Sequence, residues 1–93
     1  MNFSIRIELH GGRAEDYAAL HVAMEKCGFR RYVVADDGRA FALPIAEYAG
    51  TFNATIKDVT DTAGVAAAST GRPYSVLVAE AQQQMWVGLQ QIA

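Results

Sequence analysis

Two histidines and a scatter of arginines are the residues of this chain that could move protons or hold phosphates. His10 ends a run that alternates in polarity, and His21 lies inside a helical repeat. Imidazole titrates near neutral pH, so each is a candidate for proton transfer or a phosphate contact. Arg6, Arg30, Arg31 and Arg39 carry guanidinium forks that suit phosphate and could form a local basic patch. They equally fit ordinary surface charges. His21 equally fits a boundary residue bonded to a backbone carbonyl. Arg6, Glu8 and His10 share one face of a strand. If nothing else covers that face, they meet a partner, either a second subunit or a nucleic acid.

Other chemistries find little support. One cysteine and two histidines show no ligand-pair spacing, so no metal site is expected. Asp36-Asp37 supplies too few ligands, and "VVADDGRAFALP" reads as a turn between two strands. Gly11-Gly12 is not followed by the glycine pattern of a dinucleotide loop, so no cofactor is expected. Ser4, Ser69 and Ser75 lack a nucleophile elbow. Cys27 falls on an apolar helix stripe, where a small buried hydrophobe belongs.

The elements that must position these residues follow from periodicity. "FSIRIELH" alternates, with Phe3, Ile5, Ile7 and Leu9 on one side and Ser4, Arg6, Glu8 and His10 on the other. That is a half-buried strand. "RAEDYAALHVAMEKCG" is a helix with Tyr17, Leu20, Met24 and Cys27 as its stripe and Gly28 as its C-cap. His21 then sits about 100° from Leu20, at the margin of the buried face. Tyr32, Val33 and Val34 form a strand, and Phe41, Leu43 and Ile45 another. Asp37-Gly38 makes the hairpin between them. Pro44 places the second strand at an edge or in a bulge. A second helix starts at Thr55, with Asp58 completing a capping pair, and buries Val59, Ala63, Ala66 and Ala67. "YSVLVAEA" is a final strand, expected to be central, and Trp86, Val87 and Leu89 extend a sheet edge or cover its bare face. The order is βαββαβ plus a short C-terminal strand or tail. This predicts an α+β, ferredoxin-like sandwich: one four-stranded antiparallel sheet with two helices on one face.

With 93 residues, 52% of them apolar, the chain is expected to form a single domain over residues 1–93. Charged residues are only 19%, and a small domain so poor in charge is expected to be a homodimer. The net charge of -2 argues against a strongly electropositive nucleic-acid binder. A lone cysteine, no run of about 20 apolar residues and no signal-peptide pattern predict a cytoplasmic protein away from the membrane.

Three stretches, "RIELH", "DYAALHVAMEKCGFRRYVVADDGRAFALPIAEY" and "TGRPYSVLVAEA", are similar to the GhoS-type family of small proteins. That family is known from the antitoxin of type V toxin–antitoxin systems, with relatives among phage- and prophage-encoded proteins. The resemblance implies a ferredoxin-like fold similar to the CRISPR spacer-acquisition nucleases. It also implies a metal-independent endoribonuclease or RNA-binding protein acting on a toxin mRNA. Arginines would hold phosphates, with His21 or His10 assisting attack by a 2′-hydroxyl. The family's helix-one arginines fall at Ala18 and His21 here, and Glu8 stands near the place of the CRISPR nucleases' acidic residue. These departures keep open an alternative, a non-catalytic dimeric protein-interaction module such as a phage accessory protein.

Overall fold

Alternation in the first strand organises the molecule. The computed structural model describes Met1–Ala93 and opens with β1, Asn2–Leu9. Phe3, Ile5, Ile7 and Leu9 are buried, while Arg6 and Glu8 are exposed. The chain continues through α1 (Ala14–Lys26), β2 (Tyr32–Val34), β3 (Ala40–Ala42), β4 (Glu47–Thr51), α2 (Ile56–Ala68) and β5 (Tyr74–Glu80). The central strand is β1 and not, as the sequence predicts, the final one: β1 runs antiparallel to β4 on one side and to β5, an edge strand, on the other. Both helices cover the face carrying Phe3, Ile5, Ile7 and Leu9. Leu20 and Met24 reach it from α1, and Val59, Ala63, Ala66 and Ala67 from α2. The small residues of α2 let that helix lie close to the sheet. No helix is long and apolar enough to cross a membrane.

The helix ends follow local chemistry. In α2, Thr55 Oγ1 accepts from the Asp58 N–H at 3.1 Å. In α1, the Asp16 carboxylate accepts from the Arg13 N–H at 2.9 Å and from Arg72 Nε at 2.8 Å. The Arg13 amide chiefly, with the Arg72 guanidinium, holds that carboxyl below its ordinary range.

The single four-stranded sheet expected from the sequence is replaced by two sheets, of three and two strands. After α1 the chain touches β4 at one bridge only, with Arg30 and Ala49 exchanging both backbone bonds at 2.8 Å. It then leaves, and β2 pairs with β3 instead. β3 ends before Pro44 rather than running through Ile45. Pro44 has no N–H to donate, and Ala46 turns the chain at φ 67°. The strand that pairs with β1 is therefore β4, which begins after that turn. The C-terminal residues add to the hairpin: Ala42 N–H donates to Gln90 O and Ile92 N–H to Ala40 O, at 2.8 and 2.9 Å. Trp86 packs on Phe41 with ring centroids 5.5 Å apart. Hairpin and tail stand over part of the sheet face opposite the helices, where Ser4 and Glu47 share a cleft with Val33, Leu43, Trp86 and Leu89.

Candidate nucleic-acid interface

His21 follows Leu20 on α1, so its ring leaves the core at the helix margin and is half-buried. It meets Tyr48 there. In register, Tyr48 lies opposite Ile5, on the helix-covered side of the sheet, and is 1% exposed. Tyr48 Oη and His21 Nδ1 are 2.6 Å apart. Burial pushes the phenol above its ordinary range. Burial also holds the imidazole below its usual value, helped by the Arg31 cation and opposed by Glu25. Both groups are therefore neutral near pH 7. The buried hydroxyl has no second partner, so it donates to Nδ1. The ring proton then sits on Nε2, which is neither hydrogen-bonded within the protein nor buried. In this state His21 offers a donor and lacks a free basic nitrogen.

Arg31 is placed by the bridge at Arg30. Successive strand residues point to opposite faces. Arg30 shares the side of its bridge partner Ala49, so Arg31 falls on the side of Tyr48 and His21. Arg31 is exposed and belongs to no ion pair. Arg30 lies with its guanidinium 5.8 Å from the Tyr32 ring centroid, its Nε buried and unpartnered.

The other candidates stand elsewhere. On the opposite sheet face, Arg6 donates to Glu47 from Nε and Nη2 at 3.1 and 2.6 Å. His10 Nε2 lies 2.8 Å from Ser75 Oγ and its Nδ1 is 4.0 Å from Glu8. His10 and His21 are thus on opposite faces of one sheet and cannot share a phosphodiester as acid and base. Arg39 is at the hairpin tip, donating to Asp37 from its backbone at 3.0 Å and from Nε at 2.7 Å. The Arg39 amide chiefly holds the Asp37 carboxyl below its ordinary range. With Gly38 at φ 89°, "DDGR" is a self-satisfied turn. The four arginines form no single patch. No three His, Cys, Asp or Glu side chains converge on a common point.

Helical spacing points to His21 but nothing comparable points to Tyr48, whose strand lacks polar–apolar alternation. Its one visible cue is a tyrosine among small residues in "EYAG". Compared with known proteins, the chain matches no family model and no curated protein.

Proposed function

We propose that this is a GhoS-like, cytoplasmic RNA-binding protein of antitoxin type, which holds a backbone phosphate of a target mRNA between His21 and Arg31. The observation that carries this reading is an exposed guanidinium outside any ion pair on the same side of the sheet as an imidazole whose Nε2 is a donor. A cation and a neutral donor on one surface suit a phosphate oxygen. No metal enters. The β4-β1-β5 order, both helices on one face and the Arg30–Ala49 bridge in place of a fourth strand support a ferredoxin-like frame. With Nδ1 occupied by Tyr48, binding is favoured over endoribonuclease cleavage. Arg6 and Arg39 are neutralised by Glu47 and Asp37 and contribute less.

The test incubates the purified protein with a mixed single-stranded RNA pool at increasing salt, followed by end mapping. Binding that weakens with salt, falls about tenfold in Arg31→Ala, and leaves RNA ends intact supports the reading. Absence of salt-dependent binding sinks it. New ends that vanish in His21→Gln would restore cleavage.

A second reading, a non-catalytic module with a protein partner, is favoured by Val22 and Val65. They stand 53% and 72% exposed on a groove between the helices. A pull-down that recovers nucleic acid alone counts against it.

A further inference from the structure

β5 is the last strand of its sheet, and one of its edges is free. Ala81 N–H donates to Asn2 O, and His10 N–H to Pro73 O, both at 2.8 Å. In the β1–β5 register these pairs share one phase with Ser75, Leu77 and Ala79. The backbone groups of those residues therefore face β1. Those of Tyr74, Val76, Val78 and Glu80 face outward. None of these outward groups meets a hydrogen-bond partner. An unpaired row of this kind is a template for another strand. The usual protections are missing. Tyr74–Glu80 contains no proline, glycine or lysine, pairs without a bulge, and carries one charge, at its end.

We propose that a second copy of this chain pairs antiparallel along the free edge of β5, about a two-fold axis through Leu77. The strand is self-complementary in that register. Val76 faces Val78 of the second copy and Tyr74 faces Glu80, each reciprocally. All four outward-facing residues are matched, giving about eight backbone bonds across the axis. Sliding by two residues leaves one outward residue unmatched on each strand. Sliding far enough to oppose the two Glu80 side chains adds like-charge repulsion. In the centred register the Tyr74 hydroxyl can instead donate to the Glu80 carboxylate.

Leu77 lies on the axis on the helix-free face, 67% exposed, and meets its own copy as a close pair about 4.5 Å apart at Cα. A large apolar side chain left in water is thereby covered. On the helix side, α2 leaves room beside this edge. Gly64 lies over Tyr74, where an added Cβ would stand 3.8 Å from the hydroxyl. Thr60 and Ala68 continue the same stripe of α2, alongside the Lys57–Asp61 ion pair. An identical strand satisfies every one of these features at once, which is the reason for choosing a second copy over a foreign strand. The interface is independent of the RNA reading, because His21 and Arg31 lie on the β4 side, across β1 from this edge.

Sedimentation velocity over a concentration series, with disulfide trapping, tests it. The Leu77→Cys variant, made in a Cys27→Ser background, is incubated in a glutathione redox buffer. The expected result is a dimer that Leu77→Cys converts to a covalent dimer. Ser75→Cys alone stays uncrosslinked but crosslinks when mixed with Ala79→Cys. Leu77→Lys, which changes an exposed side chain, is expected to sediment as a folded monomer. A wild type that is monomeric at every concentration overturns the proposal. So does a dimer in which Leu77→Cys fails to crosslink.

Discussion

His10 and His21 flank the same sheet, and the two faces treat them differently. On the helix side, burial keeps His21 neutral, Tyr48 consumes one nitrogen, and the Arg31 cation, outside any ion pair, further disfavours its protonation. On the other side, His10 already has Ser75 and Glu8, and Arg6 already has Glu47, all in reach of water. Residue type is shared; desolvation and available partners are not. A guanidinium matched to a carboxylate in solvent has little left for a phosphate, and its ion pair contributes little to stability. An unmatched one beside a half-buried donor is pre-positioned for an anion.

The widest gap between the faces is in stability. Ile5, 0% exposed on the helix side, is expected to cost about 3 kcal/mol on Ile5→Ala. Its strand neighbour Arg6 is expected to cost less than about 1 kcal/mol on Arg6→Ala. Urea denaturation measures both, and equal costs would break the comparison.

RNA affinity is expected to show the next largest difference. Arg31→Ala should weaken binding about tenfold, which is ~1.4 kcal/mol, by removing a charge-assisted phosphate contact. Arg6→Ala and Arg39→Ala should change it far less in the same titration. If all three act alike, binding is diffuse charge and the helix-side site is wrong.

Smaller still is Tyr48→Phe, expected to destabilise by about 1 kcal/mol through the lost bond to His21. It also frees Nδ1, and ¹⁵N chemical shifts of the ring should report the change of tautomer.

The smallest effect is a pH slope. The folded-state value of His21 is lowered from 6.5. As the pH falls through about 6.5, the unfolded chain therefore binds the proton first and stability declines. The decline ends once the folded imidazole also protonates. Above 6.5 the contribution is complete. His21→Gln should flatten this window, while a separate loss from Asp16 and Asp37 appears only below pH 3.8. A slope unchanged by His21→Gln would mean the ring is not desolvated.

The parts of the fold readable from sequence are those with one wet face and one dry face. β1 alternates, and the stripes Leu20–Met24 and Val59–Ala63–Ala66–Ala67 repeat at helical spacing, so burial matches the pattern. β4 was not readable because Tyr48, Ala49 and Gly50 are all buried, with helices on one side and the hairpin on the other. Alternation disappears when both faces are covered. A Cβ at Gly50 would run into the Phe52 ring, a constraint that only the folded chain reveals. Gln90–Ala93 pair with β3 through backbone bonds that leave no side-chain signature. The site was half readable for the same reason. The margin position of His21 follows from helical geometry, whereas its partner comes from the strand that periodicity hides.

The most direct test of the helix-side site is an amide and imidazole chemical-shift titration of the protein with single-stranded RNA. Shifts are expected to concentrate at His21, Glu25, Arg31 and Tyr48, and to leave Arg6, Glu8, His10 and Ser75 in place. Shifts centred on the Arg6–His10 face, or none at saturating RNA, would contradict it.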